Sequence, residues 1–220
     1  MIVRVWRQAL AAGVGPVAVA AGDQVICDAI AAVGGQAVLT DPNLPSGSDR
    51  VLAAMAALDP AGRHDVVINL QGDMPFVSPG ILVDCATLLA RKPECDIATV
   101  VAQESSAKDR TNADVVKAIL AMNPDGRAGR ALYFTRSTLW GEGPVWRHIG
   151  IYGYRSAALR RFNAAEPSPL ERRENLEQLR ALEMGLTIWA AVANQAPISV
   201  DTPADLAAAE LVARRAQRDG

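Results

Sequence analysis

Histidine and cysteine are scarce in this chain: two and three residues among 220. Two histidines, His64 and His148, argue against a multi-histidine zinc centre. Cys27, Cys85 and Cys95 are far apart, form no metal-type pair and make no even disulfide set. They read as reduced, partly buried thiols of a cytoplasmic protein. A basic surplus is also missing. The net charge is −2, which argues against nucleic acid and anionic membrane as partners. No apolar run reaches the length of a membrane span. The opening "MIVRVWRQALAAG" is amphipathic and lacks the unbroken apolar core of a signal peptide. Nor is there a glycine-rich loop between a strand and a helix, which argues against a Rossmann dehydrogenase. Gly13-x-Gly15 follows a helix and opens a strand, so it reads as a helix stop.

What is present is an ordinary globular composition, 50% apolar and 21% charged, with a clear alternation of periods. Helical spacing covers residues 2–10, strand signals cover 17–21, and helix 25–33 ends at Gly34-Gly35. Strand 36–39, helix 49–58, strand 66–70, helix 79–90 and strand 96–102 follow. This βαβ rhythm predicts a three-layer α/β fold with right-handed crossovers. The rhythm changes after about Ser105. Between about 107 and 155, strands joined by turns such as "NPDG" predict an antiparallel insertion within a single domain spanning 1–220. A helix over 169–185, a strand over 186–193 and a helix from Pro203 to Gln217 resume the first pattern.

Two carboxylates stand where ligands gather in such folds. In "VVINLQGDMP" an apolar strand, expected to be buried on both faces, stops at Gly72-Asp73 before Ser78-Pro79 starts a helix. Asp73 is either a turn former or a hard-cation ligand at a strand's carboxyl end. Gln71 points to the same side of the strand. In "VDTPADL", Thr202, Pro203 and Asp205 satisfy a helix start without Asp201. Asp201 is therefore either a solvated loop residue or the second ligand of a shared divalent cation.

Other candidates are less decided. Arg50 in "SGSDR" is a surface charge or a clamp for a carboxylate or phosphate. His148, Tyr152 and Tyr154 share one face of a strand. Ser168-Pro169-Leu170-Glu171 makes a capping box, while Glu174, Glu177 and Gln178 are expected on one helical face.

The segments "PSGSDR", "NLQGDMP", "ALYFTR", "RHIGIYGYR", "PSPLERRENLEQLR" and "VDTPADL" occur in that order. Together they resemble the CMP-Kdo synthetase family, 3-deoxy-manno-octulosonate cytidylyltransferases of lipopolysaccharide synthesis. The resemblance implies a nucleotidyltransferase α/β fold with an antiparallel dimerisation extension, a homodimer, Mg²⁺, and transfer of a cytidylyl group from CTP to Kdo with release of pyrophosphate. It places the metal on Asp73 and Asp201. It places Arg50, Gln71, His148, Tyr152, Glu174 and Gln178 near the sugar acid, with Arg50 and His148 as partners for its carboxylate.

Two departures stand out. Met74 occupies a position where the family usually has Glu, so that position is not an obligatory ligand. The family's opening strand and its Arg/Lys loop "IPARxxSxRLPGKPL", which hold CTP, have no counterpart here. The expectation is a start set too far downstream, a sheet gap between strands 17–21 and 66–70, and no CMP-Kdo formation by the chain as written. The alternatives are an impaired homologue that binds a sugar acid or a partner, and a cytidylyltransferase for another sugar acid such as sialic acid.

Overall fold

A computed structural model describes residues 1–104 and 107–216. The change of rhythm at Ser105 and the helix end at Gln217 lie outside them. The first half holds α1 (Ile2–Ala12), β1 (Ala18–Ala21), α2 (Gln24–Ala31), β2 (Gln36–Leu39), α3 (Gly47–Leu58), β3 (Val66–Asn69), α4 (Pro79–Arg91) and β4 (Ile97–Glu104). Then come α5 (Ala107–Thr111), β5 (Lys117–Met122), β6 (Ala128–Thr135), β7 (Val145–Arg155), α6 (Ser156–Asn163), α7 (Pro169–Glu174), α8 (Gln178–Glu183), β8 (Ile188–Ala193) and α9 (Pro203–Ala216).

Helix ends follow local chemistry. Gly13 adopts the left-handed conformation, φ 63°, and returns its N–H to Leu10 O, closing α1 as the sequence predicts. Pro79 opens α4, although the Ser78 side chain makes no cap bond. Ser168 and Glu171 form the reciprocal capping box of α7. Thr202 and Asp205 cap α9 in the same way.

Six strands form one sheet in the order β3-β7-β4-β8-β6-β5, and β5 also pairs with β7. The pairings therefore run in a circuit, β7–β4–β8–β6–β5, and return to β7 where Lys117 faces Arg147 and Ala118 faces Trp146. Only β4–β8 is parallel within this sheet. Strands β1 and β2 form a separate parallel pair. Among the described residues β1 has no strand partner besides β2, and β3 none besides β7. Helix α3 packs against both β1 and β3, so it ties the two sheets together.

Side chains of β4 alternate between two cores. Ala98, Val100 and Ala102 meet α4 residues Leu82, Cys85 and Leu89 on one face. Ile97 and Val101 meet Leu159, Phe162 and Leu179 from α6 and α8 on the other. Helices thus cover both faces, the predicted three-layer arrangement. Met74 is buried in the α4 core, which accounts for an apolar residue there. All three cysteines are free and buried. Burial pushes the Cys85 and Cys95 thiols up to about 12, so they are inert at neutral pH.

Three expectations need correction. Strand β3 is not buried on both faces: Val66 is exposed, and Val67 and Ile68 are half-buried. It lies at the sheet edge, where one flank has no strand to cover it. The helix expected over 169–185 is two helices, because Asn175 takes a left-handed conformation, φ 53°. Glu174, Glu177 and Gln178 therefore do not share a helical face. Finally, "SAALRRFN" forms α6, an element absent from the sequence reading.

Candidate active site

Asp73 lies in the turn after β3, and Asp201 in the segment between β8 and α9. The Val200 N–H donates to Asp73 O at 2.9 Å and pins the two segments together. Ser199 Oγ lies 2.8 Å from Asp201 Oδ2 and 3.4 Å from Asp73 Oδ2. Its one proton cannot serve both carboxylates. Asp73 Oδ1 is buried with no hydrogen-bond partner. Burial, followed by the nearby charge of Asp201, raises the Asp73 pKa. A buried, unpaired carboxylate oxygen beside a second carboxylate fits a divalent cation. Among the described residues no group of three or more His, Cys, Asp or Glu could hold a metal. The pair suits Mg²⁺, which takes one or two carboxylates and fills its shell with water and phosphate oxygens.

Strand β7 carries the second group of candidates. Rings run in a row: Phe134–His148 at 4.9 Å, His148–Tyr152 at 5.4 Å, Tyr152–Tyr154 at 5.8 Å and Tyr154–Phe162 at 6.3 Å. His148, Tyr152 and Tyr154 thus share one face, as alternation predicts. The Thr99 hydroxyl donates to Ile151 O at 2.8 Å, beside the register shift between β4 and β7. Its single proton is then used, so the 2.9 Å contact with His148 Nε2 requires Nε2–H to donate to Thr99 Oγ1. The ring's Nδ1 is left as an acceptor. Burial lowers the His148 pKa to about 3, which keeps the ring neutral. Burial, with the charge of Glu177, raises the Tyr152 hydroxyl, so it stays a protonated donor.

The remaining candidates fall around this row. Glu174 is held by β6: Thr135 Oγ1 donates to it at 3.1 Å and Tyr133 Oη lies 3.4 Å away. Gln178 is buried, and its Nε2 has no partner. Gln71 Nε2 is 3.4 Å from Asn69 Oδ1 and lies against the first turn of α3, 3.3 Å from where a Gly47 Cβ would stand. Arg50 turns the other way. Its Nη1 donates to Thr40 Oγ1 at 2.6 Å and to Asp41 O at 3.2 Å. The guanidinium lies so close to Gly22 that a Cβ there would be 2.7 Å from Nη1. Arg50 thus clasps the carboxyl ends of β1 and β2 through Nη1.

Sequence reasoning missed several positioning contacts. Ser48 Oγ donates to Glu177, which also accepts from Arg180. Arg180 pairs with Glu171 at 3.0 Å and lies 4.2 Å over the Phe162 ring. Asn163 Nδ2 donates to Asp49 at 2.7 Å. This network fastens the first turn of α3 to α6, α7 and α8. The polar Ser48 and Asp49 in the first turn of α3, behind its N-cap Ser46, were the one visible signal. Ser199, which bridges the aspartates, had none.

A family model described as cytidylyltransferase matches residues 1–188. A 3-deoxy-manno-octulosonate cytidylyltransferase of Parvibaculum lavamentivorans is 55% identical over 207 residues, which are 94% of this chain and 80% of that protein. The Methylobacterium nodulans protein of the same name is 53% identical over 218 residues, 98% of this chain and 87% of its own. A solved CMP:2-keto-3-deoxy-manno-octonic acid synthetase, complexed with CTP, superposes with a TM-score of 0.88 at 31% identity, covering 97% of this chain and 87% of that one. With this match along nearly its whole length, the chain belongs to the cytidylyltransferase family, among the CMP-Kdo synthetases.

Proposed function

We propose that this protein transfers a cytidylyl group from CTP to Kdo, forming CMP-Kdo and pyrophosphate. The observation that carries the reading is the Asp73–Ser199–Asp201 cluster at the carboxyl edge of a cytidylyltransferase sheet. The acceptor's anomeric hydroxyl attacks the α-phosphorus of CTP in line, the new C–O–P bond forms, and the bond to pyrophosphate breaks. Asp73 and Asp201 would hold a Mg²⁺ ion, which would supply charge neutralisation at the phosphate oxygens and acidify the attacking hydroxyl. The protein's own groups do the positioning. Nδ1 of His148 accepts from a sugar hydroxyl, and Tyr152 donates to one. Glu174, aimed by Thr135, accepts from another, and Gln178 and Gln71 supply amide contacts. No covalent intermediate is needed, because the acceptor hydroxyl attacks the phosphorus directly.

We also read the protein as a cytoplasmic homodimer. No described helix is long and apolar enough to cross a membrane. The loop between β6 and β7 presents Trp140, 90% exposed, beside the antiparallel strands, and aromatic side chains of this kind are typical anchors of interfaces.

The test is pyrophosphate release by the protein in the length its gene encodes, with CTP, Mg²⁺ and either Kdo or sialic acid. Release with Kdo and not sialic acid supports the reading. Preference for sialic acid, or no release with either, contradicts it.

A further inference from the structure

Lys117 opens β5 with its side chain fully buried, and the transfer described above gives it no task. Its Nζ donates to Asn112 O at 2.7 Å and to Arg136 O at 2.8 Å. The second carbonyl belongs to the peptide unit between Arg136 and Ser137. The N–H of that same unit donates to Thr135 Oγ1 at 3.0 Å, and Thr135 Oγ1 donates to Glu174 Oε2 at 3.1 Å. We propose that Lys117 is a positioning residue for Glu174, acting through the 136–137 peptide and the Thr135 hydroxyl. The proposal rests on the cytidylyl-transfer reading above, in which Glu174 accepts from a sugar hydroxyl.

Direction is the first support. A lysine ammonium presents donors only, and an ionised carboxylate presents acceptors only. Every link between these two ends runs the same way, from the ammonium to the carbonyl, from the amide to the hydroxyl, and from the hydroxyl to the carboxylate. Because Thr135 Oγ1 receives the Ser137 N–H, its own single proton is directed to Glu174. Bonds aligned head to tail polarise one another. The ammonium therefore makes the Ser137 N–H a stronger donor, and the Thr135 hydroxyl in turn. Lys117 and Thr135 face each other in the antiparallel register of β5 and β6, which keeps the relay short.

The two oxygens of Glu174 give the second. Oε1 is met at 3.4 Å by Tyr133 Oη and at 3.4 Å by Arg173 Nη2, the outer limit of hydrogen bonding. Arg173 spends its better contact, 2.7 Å, on the Tyr133 hydroxyl. Oε2 is therefore the more firmly held oxygen, and Oε1 keeps capacity for a substrate hydroxyl. Backbone geometry does not aim this side chain by itself, since α7 ends at Glu174 and the next residue, Asn175, turns left-handed. Cost is the third support. Burying an ammonium is expensive where an apolar chain of the same length would fill the space. Lys117 meets that cost with two carbonyls, one of which starts the relay.

The experiment compares the gene-encoded parent with K117M, T135V and the double variant in steady-state assays at saturating Mg²⁺, varying Kdo and CTP in turn. Each single change should raise the KM for Kdo by about 10-fold and leave the KM for CTP within about twofold. The double variant should be no worse than the worse single one, because both changes cut the same relay. T135S keeps the hydroxyl and should return the KM for Kdo to near the parental value. K117Q keeps a donor without the charge; it should fall between the parent and K117M, and it carries the test if K117M does not fold. A lysine that only braces two loops would lower Tm and leave both KM values of the folded fraction alone. The proposal is overturned if the folded Lys117 variants keep the parental KM for Kdo, if the effects multiply in the double variant, or if the KM for CTP rises as much as that for Kdo. E174Q with a parental KM for Kdo would instead overturn the place of Glu174 in the functional reading, and the purpose of the relay with it.

Discussion

Asp73 and Asp201 come from distant parts of the chain yet face one hydroxyl, that of Ser199, at 3.4 and 2.8 Å. Without a cation this arrangement is electrostatically costly. The Asp73 pKa is raised by burial and then by the Asp201 charge. A raised folded-state value means that the native protein holds this proton to higher pH than the unfolded chain does. The contribution of Asp73 therefore lowers stability as pH rises from its ordinary value of 3.8 through the raised one. D73N should raise the Tm of the metal-free protein at pH 7 by roughly 2 °C while removing the gain in Tm that Mg²⁺ gives the parent. Thermal melts with and without Mg²⁺ check both, and a D73N protein still stabilised by Mg²⁺ would contradict the assignment.

His148 gives the opposite pH dependence. Its folded value is lowered to about 3 by burial, while the unfolded chain titrates near 6.5. Below 6.5 the unfolded chain gains a proton that the native ring does not. Stability from this residue is thus lost as pH falls from about 6.5 towards 3, by at most about 1.4 kcal/mol per pH unit and by less for a half-buried ring. H148Q should be less stable than the parent at pH 8 and should show a flatter decline between pH 6.5 and 4.5. Denaturant melts across that range decide, and parallel declines for both proteins would refute the neutral-ring assignment.

The meeting of Asp73 with Asp201 could be read from sequence, and what could not be read has physical causes. Capping residues carry their own explanation, so Ser168–Glu171 and Thr202–Asp205 identified helix starts and left Asp201 spare. The α/β alternation showed through because each helix stripe and strand run is a local pattern. Asn175 looks like any helical residue until its left-handed backbone splits the helix, which sends Glu174 to β6 and Glu177 to Ser48. Strand order is equally silent: nothing near Val145 announces that β7 inserts between β3 and β4. Arg50 shows the same limit, since its partners Thr40 and Gly22 are brought to it only by the packing of α3 on β1 and β2.

Arg155 closes the "RHIGIYGYR" segment with a structural task. Its guanidinium donates to Cys95 O at 2.8 Å, Leu89 O at 2.9 Å and Lys92 O at 3.1 Å. It thus serves the last carbonyls of α4 and fastens β7 beneath that helix. R155A leaves these acceptors unpaired and should cost about 2–3 kcal/mol, lowering Tm by roughly 5–10 °C. Affinity for Kdo in the folded fraction should hold within about twofold. Urea melts and Kdo titrations of the same samples test this, and a large loss of affinity at parental stability would give Arg155 a different role.

Trp140 offers a check on assembly. An aromatic side chain 90% exposed in one chain should become a buried anchor in a homodimer, and truncating such an anchor typically costs more than about 2 kcal/mol. W140A should shift sedimentation at micromolar concentration from dimer towards monomer. A parent that sediments as a monomer would remove the basis for a dimer through this face.

The most direct measurement is Mg²⁺-dependent pyrophosphate release, with CTP and Kdo, by the gene-encoded protein and by D73N, D201N and the double variant. If both carboxylates hold one ion at the reacting phosphate, each single change should cut kcat/KM by roughly 10²- to 10³-fold, and the double change should cost no more than the worse single one, because residues acting as a unit are not additive. Parental rates in either single variant, or losses that multiply in the double, would contradict a shared catalytic metal site.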